Sequence, residues 1–215
     1  MIFENRIEAG KLLAKLLENL VSKNPIILGL PRGGVPVANE VARALHRPMD
    51  VLIVRKLGVP WHPELAFGAI GEGDELYINH QIVDQLEISK EAINGAISRE
   101  KQEIRERQLK FRNGRSISDL SGKCVIIVDD GIATGATAEV ACRIAKKMGA
   151  LEVILAAPVG AKESVESLSK VADKCSIVYI PENLSAVGEW YLDFSPTTDE
   201  EVAKLMKEAK VVSED

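Results

Sequence analysis

Residues 124–137 read Cys124-Val125-Ile126-Ile127-Val128-Asp129-Asp130-Gly131-Ile132-Ala133-Thr134-Gly135-Ala136-Thr137. Four consecutive β-branched residues, 125–128, are typical of a central parallel strand that is covered on both faces. The paired aspartates then fall at the carboxyl end of this strand, where open α/β sheets place their ligands. The small residues that follow open a helix, and the first N–H groups of a helix favour an anion. The stretch therefore predicts a strand, an anion-binding loop and a helix in direct succession.

The two carboxylates Asp129 and Asp130 need a role that differs from that of the loop, because a phosphate would repel them. The simplest role is to accept hydrogen bonds from the two vicinal hydroxyls of a ribose, while residues 131–137 hold the 5′-phosphate through backbone N–H groups and two hydroxyls. A helix N-cap is the structural alternative for an acidic pair at this place. We expect one site that holds a ribose and its phosphate.

The pattern from Val125 to Thr137 resembles the phosphoribosyl pyrophosphate (PRPP) signature of type I phosphoribosyltransferases. The resemblance implies that Asp129 and Asp130 bind the ribose as catalytic residues, and that the whole loop 131–137 binds the sugar phosphate. Other phosphate motifs are not supported. The sequence has no G-x-x-x-x-G-K-[ST] motif, and the glycines at Gly71 and Gly73 lack the third glycine of a dinucleotide fingerprint.

A second loop supplies cations. After the apolar strand 25–30 come Pro31, Arg32, Gly33 and Gly34. The glycines allow close approach of the backbone to a ligand, and the guanidinium offers several donors to phosphate oxygens. This loop resembles the family's pyrophosphate-binding loop, which adds Arg32 to the expected catalytic residues.

A third cationic segment follows the next predicted strand, residues 49–54. Arg55 and Lys56 resemble the Arg-Lys pair that opens the mobile loop of the adenine and orotate members, and such cations would stabilise a departing pyrophosphate. Because of its two prolines, the segment from Gly58 to Pro63 is predicted to be a loop.

The remaining pattern alternates strands and helices, and predicts an α/β fold with a five-strand, mostly parallel sheet flanked by helices. We expect a single domain over residues 1–215, with an inserted helical hood at residues 82–115. The charges late in this insertion have two interpretations. They form a solvated face of Glu–Arg pairs, or they form a positive cover that leans over the pyrophosphate.

Composition excludes several classes of protein. The chain has 215 residues, 46% of them hydrophobic, and a net charge of −5, which argues against bulk nucleic-acid binding. The charged first twenty residues do not resemble a signal peptide, and no apolar run reaches membrane-spanning length, so we expect a cytoplasmic protein with no membrane partner. The three cysteines are spaced as buried free thiols rather than as a metal site or disulfides.

The stretch 180–194 resembles the segment with which the 6-oxopurine enzymes sandwich their base. The resemblance implies Leu184 and Val187 in the base region and Asp193 near a metal. Leu184 replaces an aromatic residue, and Ala133 replaces an aspartate that takes a proton in those enzymes. An alternative role for the aromatic residues 190, 191 and 194 is to anchor the C-terminal helix to the sheet.

Nearly the whole chain resembles the predicted phosphoribosyltransferases that carry a helical insertion before the PRPP motif. This implies a glycosyltransferase (pentosyltransferase) of nucleotide salvage that transfers 5-phosphoribosyl from PRPP to a small nitrogenous base and releases Mg-pyrophosphate. Mg²⁺ would be bound mainly by substrate oxygens and water. The alternative function is a catalytically weak regulator that binds PRPP or a nucleotide. A homodimer is a further expectation.

Overall fold

The computed structural model describes residues 1–19 and 24–212, which form helices and strands in the alternating order predicted for an α/β fold. In chain order the elements are α1 (Arg6–Leu17), β1 (Ile26–Gly29), α2 (Gly34–Leu45), β2 (Met49–Val51), β3 (Val54–Val59), β4 (His62–Gly71), β5 (Leu76–Ile78), α3 (His80–Gln85), α4 (Lys90–Arg112), β6 (Cys124–Val128), α5 (Ala136–Lys147), β7 (Glu152–Val159), α6 (Lys162–Leu168), β8 (Lys174–Tyr179) and α7 (Asp199–Val212).

The main sheet has five parallel strands in the order β2-β1-β6-β7-β8, which confirms the predicted fold class. Strand β6 is central, as its run of β-branched residues predicts. Its neighbour β1 is in a register that pairs Gly29 with Val128, the last residues of the two strands. The loops that follow β1 and β6 therefore leave the sheet side by side.

Both faces of this sheet are covered by helices. In β6, Val125 and Ile127 pack in the core cluster that contains residues of α5 and α6, whereas Ile126 and Val128 pack in the cluster that contains residues of α1 and α2. Alternate side chains of a strand point to opposite faces, so a wholly apolar strand requires a cover on each side. Within the described residues the three cysteines form no disulfide, and Cys124 and Cys142 are buried while Cys175 is half-buried.

A second sheet corrects one prediction from the sequence. The segment 58–63 was expected to be a loop, but β3 and β4 pair as an antiparallel hairpin with β5 added at its edge. Pro60 lies in the tight turn between the strands, where proline is favoured. The register of the two strands is irregular between the pairs Val59–His62 and Gly58–Ala66.

The hood consists of this hairpin sheet together with α3 and α4. Helices occupy most of the predicted insertion 82–115. Ile104 and Phe111 of α4 share a buried cluster with residues of β3 and β4 and with Val202 and Met206 of α7. The C-terminal helix thus packs on the hood. By contrast, Tyr191 and its aromatic neighbours pack around Phe3 in a separate cluster, so the interpretation that they anchor this helix is wrong.

A buried ion network joins the hood to the main sheet. The Arg112 guanidinium at the end of α4 donates to the Glu72 carboxylate, and its Nε lies 3.6 Å from Oδ1 of Asp50 in β2. Glu72 also accepts hydrogen bonds from the Gln108 side chain and from the backbone N–H of Ile53. Arg112 is only 3% exposed and Glu72 only 1% exposed. Charges buried this deeply are tolerated only when they are paired.

Replacement of Arg112 tests this network. Arg112→Met should lower the free energy of unfolding by about 3–5 kcal/mol, because it leaves two buried carboxylates without their cation. The control Lys146→Met removes the ion pair of Lys146 with Asp173, in which both side chains are 40% exposed, and should change stability by less than about 1 kcal/mol. Urea denaturation of both variants measures the difference, and equal losses would contradict the proposed role of the network.

Candidate functional site

The acid pair lies at the carboxyl end of β6, as predicted. Asp129 and Asp130 are both half-buried, and the backbone N–H of Asp130 donates to Oδ1 of Asp129 over 2.9 Å. Burial raises the pKa of Asp129 well above its ordinary value, and the charge of Asp130 raises it further. Burial also raises the pKa of Asp130. Two adjacent carboxylates that are partly shielded from water destabilise the folded protein. They are also well suited to accept hydrogen bonds from a ligand.

Arg6 is a member of this site that the sequence analysis did not find. Its Nε and Nη2 atoms lie 2.9 and 2.8 Å from Oδ2 of Asp130, its Nη1 donates to the Ser195 carbonyl, and its guanidinium lies 4.0 Å from the centre of the Phe194 ring. The positive charge lowers the pKa of Asp130 and so opposes the effect of burial. Arg6 engages one oxygen of Asp130, which leaves the other oxygen of that carboxylate for a ligand hydroxyl.

Hydrogen bonds to neighbouring segments fix the phosphate loop at Ile132 and Ala133. The backbone N–H of Ile132 donates to the Val159 carbonyl at the end of β7, and the Ser164 hydroxyl donates to the Ala133 carbonyl over 2.5 Å. Gly135 has a φ of +74° and precedes the first turn of α5. The N–H groups of a first helical turn lack intrahelical partners, so the loop residues Thr134 to Thr137 present donors to an anion.

The glycines of the first loop pack directly on the acid pair. A Cβ atom at Gly33 would lie 2.0 Å from Oδ2 of Asp130, and one at Gly34 would lie 2.5 Å from the Val128 carbonyl oxygen. Both distances are far below contact, so a side chain at Gly33 would displace the Asp130 carboxylate, and a side chain at Gly34 would displace the backbone at Val128 and Asp129. The sequence predicts that these glycines allow a ligand to approach the backbone closely. In the structure they also allow the loop after β1 to approach the loop after β6. Pro31 and Arg32, just before them, are carried to the edge of the acid pair.

A cavity of about 450 Å³ lies between this loop and the hood. Its cationic lining comes from three places in the chain: the first loop, strand β3 and helix α4. These side chains are Arg32, Arg55, Lys56, Arg99 and Arg107, and Glu100 is the acidic residue among those that line it. Thr137 and Val140 of α5 form part of the floor. A concave space with this charge suits a polyanion such as pyrophosphate.

Arg55 and Lys56 do not open a loop, as the sequence analysis expected, but lie within strand β3. Both residues nevertheless line the cavity that Arg32 also lines. The Arg55 Nε donates to the Glu100 carboxylate over 2.7 Å, which ties the hairpin to α4. The Arg32 side chain is 51% exposed and has a loose ion pair of 3.9 Å with Asp199. Its guanidinium is therefore able to turn toward a ligand.

The expected base region lies beside the phosphate loop. Val187 packs against Gly131, where an added Cβ would lie 2.4 Å from Cγ1 of the valine. Leu184 is half-buried in the cluster that contains Phe3 and Tyr191. The Tyr191 hydroxyl donates to the Asp130 carbonyl over 2.6 Å, and burial raises the pKa of this tyrosine, so its proton stays in place. The aromatic residues of this stretch thus support the acid pair.

Asp193 is exposed, and its Oδ1 accepts hydrogen bonds from the backbone N–H and the hydroxyl of Ser195. These bonds lower the pKa of Asp193. Within the described ranges, no group of three or more His, Cys, Asp or Glu side chains is arranged to hold a metal ion. The proposed metal role of Asp193 stays a prediction.

A family model described as "Phosphoribosyl transferase domain" matches residues 2–60 and 76–191, which include the first loop, the acid pair and the phosphate loop. The chain belongs to the phosphoribosyl transferase family. Strand β3, with its two cations, lies inside the first matched range, and α4 lies inside the second. The match stops between these ranges, over residues 61–75, where the whole of β4 lies.

Relatives of this phosphoribosyl transferase family member agree with the assignment. The "Putative phosphoribosyl transferase Rv0571c" of Mycobacterium tuberculosis (strain ATCC 25618 / H37Rv) is 44% identical over 208 residues, which are 97% of this chain and 47% of that protein. The chain thus spans about half the length of this curated relative. A ribose-phosphate pyrophosphokinase of Pyrococcus furiosus is 42% identical over 73 residues, which are 33% of this chain and 26% of that protein.

A solved structure shows the same fold over almost the full chain. The crystal structure of TT1426 from Thermus thermophilus is 40% identical, covers 97% of this chain and 99% of its own, and superposes with a TM-score of 0.89. The recognition of the type I phosphoribosyltransferase family from the sequence is confirmed. None of the helices in the described part of the chain has the length and apolar character needed to cross a membrane.

The raised pKa of Asp129 leads to a test of the site without any ligand. At pH 7 the carboxyl group is ionised in the unfolded chain, whose Asp pKa is about 3.9, while ionisation in the folded protein is disfavoured. Asp129→Asn should therefore raise the free energy of unfolding at pH 7. The gain should disappear at about pH 3, where the carboxyl is protonated in both states.

The control is Asp119→Asn. Asp119 is exposed, and the backbone N–H of Ser121 lowers its pKa, so this change should not stabilise the protein. Urea denaturation at both pH values measures the effects. A loss of stability in Asp129→Asn at pH 7 would contradict our account of the acid pair.

Proposed function

We propose that the protein transfers the 5-phosphoribosyl group from PRPP to a small nitrogenous base and releases pyrophosphate. One observation carries this proposal: the acid pair, the phosphate loop and the cationic cavity meet at one edge of the sheet, because Gly33 and Gly34 pack on Asp129 and Asp130. PRPP has a group for each of these parts: a phosphate for the loop, a ribose diol for the acid pair and a pyrophosphate for the cavity. The match to a ribose-phosphate pyrophosphokinase also supports PRPP as the ligand.

In this proposal each loop serves one part of PRPP. The N–H groups of the loop 131–137 bind the 5′-phosphate, and Asp129 and Asp130 accept hydrogen bonds from the ribose hydroxyls. Arg32, Arg55 and Lys56 bind the pyrophosphate. As the bond from C1 of the ribose to the pyrophosphate oxygen breaks, negative charge grows on the leaving group and positive charge grows on the ribose. Fixed cations on one side and fixed carboxylates on the other stabilise both.

The proposal includes Mg²⁺, which supplies further neutralisation of the pyrophosphate charge when it is bound. Magnesium gives up its water reluctantly and usually bridges substrate oxygens with few protein ligands. The chemistry of the donor set fits this role, since Asp193 is kept ionised by its hydrogen bonds from Ser195 and is exposed to water. We propose that Asp193 contacts the ion through water.

Release of pyrophosphate from PRPP tests the proposed function. The protein is incubated with Mg-PRPP and a panel of purines, pyrimidines and smaller amines, and pyrophosphate is measured by a coupled assay. We expect release that depends on one class of base. Binding of PRPP without release in any of these reactions would instead favour the regulator that binds PRPP and transfers nothing.

Arg32→Ala should damage binding of PRPP much more than binding of ribose 5-phosphate. Only PRPP has the pyrophosphate that the first loop is proposed to hold, and a charge-assisted hydrogen bond is worth about 1.5–3 kcal/mol, which is roughly 10- to 150-fold in affinity. Calorimetric titration with the two ligands provides the comparison. Similar losses for both ligands would mean that Arg32 serves the fold.

Hypoxanthine and guanine should be poor acceptors, with turnover at least ~100-fold below that of the best base, which is the low end of what a positioned general base contributes. Ala133 has no group that takes a proton, and Leu184 offers no ring on which a base can stack. Steady-state assays with Mg-PRPP measure the difference. Efficient turnover of guanine by the unmodified protein would show that another group does the work.

A further inference from the structure

We propose that Arg107 of the hood helix α4 binds the pyrophosphate of PRPP together with Arg32 and Arg55. The inference rests on the proposed function and assigns the hood a direct part in ligand binding. The charges of α4 had two interpretations, and Arg107 fits the second, a positive cover over the pyrophosphate.

The position of Arg107 is the first step. Its side chain lines the cavity of about 450 Å³ that Arg32 and Arg55 also line. These three guanidiniums come from three separate elements: the loop after β1, strand β3 and helix α4. A ligand that enters the cavity is therefore surrounded by cations from three elements. If Arg107 served only to stabilise helix α4, its partners would need to lie only on that helix.

The partners of the three arginines differ. Arg55 donates to Glu100 at 2.7 Å, and Arg32 has its loose pair with Asp199. Across residues 1–19 and 24–212, Arg107 has no carboxylate within the 4.0 Å of an ion pair. Its charge is half-buried without a close counter-ion, which is unfavourable unless a ligand provides one.

The electrostatic surroundings of Arg107 agree with this view. Burial lowers its pKa, and repulsion from Arg55 and Arg32 lowers it further, while the more distant carboxylates Asp199 and Glu103 act in the opposite direction. The guanidinium remains protonated at neutral pH. Three like charges that share one space repel one another, and a ligand with several negatively charged oxygens offsets this repulsion.

The anchoring of α4 explains how Arg107 is held in place. Arg112, which lies five residues later on the same helix, is fixed in the buried network with Glu72 and Asp50. Gln108, the residue after Arg107, donates to Glu72 over 2.7 Å. The backbone around Arg107 is thus attached to the main sheet, so the place of this residue in the cavity lining is set before a ligand arrives. Such preorganisation reduces the entropy lost on binding.

The experiment compares Arg107→Gln with Arg105→Gln. Arg105 is an exposed arginine on the same helix that lines a different surface pocket. Calorimetric titrations use pyrophosphate, with and without Mg²⁺, and ribose 5-phosphate as the control ligand. We expect Arg107→Gln to bind pyrophosphate at least about tenfold more weakly, since a charge-assisted bond is lost, and to bind ribose 5-phosphate as the unmodified protein does. Arg105→Gln should stay within about twofold for both ligands.

The outcomes separate this inference from the proposed function. Equal binding of pyrophosphate by the unmodified protein and Arg107→Gln would overturn the inference and leave the transferase proposal in place. Pyrophosphate that fails to bind the unmodified protein, although ribose 5-phosphate binds, would also overturn it. If the unmodified protein binds neither ligand, both proposals are wrong. Since Arg107→Gln removes an unpaired cation, its thermal unfolding midpoint should not fall, and this measurement excludes misfolding as a cause of weaker binding.

Discussion

The close packing of Gly33 and Gly34 on the acid pair is the constraint on which the site depends. The parallel register of β1 and β6 ends the two strands side by side, and the missing Cβ atoms let the loop after β1 lie against Asp129 and Asp130. A side chain at Gly34 would push the two backbones apart, and a side chain at Gly33 would displace the Asp130 carboxylate. In a ligand with a sugar between two phosphates, the distance between the binding groups is fixed, so the two loops must keep their separation. The glycines set that separation.

The acid pair lowers the stability of the folded protein, and neighbouring residues offset part of this loss. Arg6 neutralises part of the charge on Asp130, and the Tyr191 hydroxyl holds the backbone carbonyl of the same residue. In the described part of the chain Asp129 forms no ion pair of its own, and burial together with the charge of Asp130 raises its pKa more strongly. Sites that bind ligands commonly keep groups of this kind at the expense of stability. A ligand that donates hydrogen bonds to both carboxylates would remove part of this cost.

The hood is joined to the rest of the molecule by charge as well as by apolar packing. The network of Arg112, Glu72 and Asp50 connects α4 and the hairpin sheet to β2, and the pair of Arg55 with Glu100 connects the hairpin to α4. Arg55 and Glu100 themselves line the cationic cavity. The shape of that cavity is therefore a property of the contact between hood and sheet, and not of one loop alone.

Much of the fold was predictable from the sequence because its signals are local. Three features can each be predicted from a few adjacent residues: the β-branched run 125–128, the acid pair and the glycine loop. The hairpin was missed because Pro60 and Pro63 suggest a loop, and only the pairing of β3 with β4 shows that two strands meet at a tight turn that contains Pro60. Arg6 was missed for a different reason. It lies 124 residues from Asp130 in the chain, and no local pattern signals so distant a contact.

The central claim is that the two loops and the hood form one site for PRPP. Calorimetric titration of the unmodified protein with Mg-PRPP tests it most directly, with ribose 5-phosphate and pyrophosphate titrated separately under the same conditions. Our account predicts one site per chain, with PRPP bound more tightly than either fragment and with pyrophosphate competing for the same site. Equal affinities for PRPP and ribose 5-phosphate, or simultaneous binding of PRPP and pyrophosphate, would contradict it.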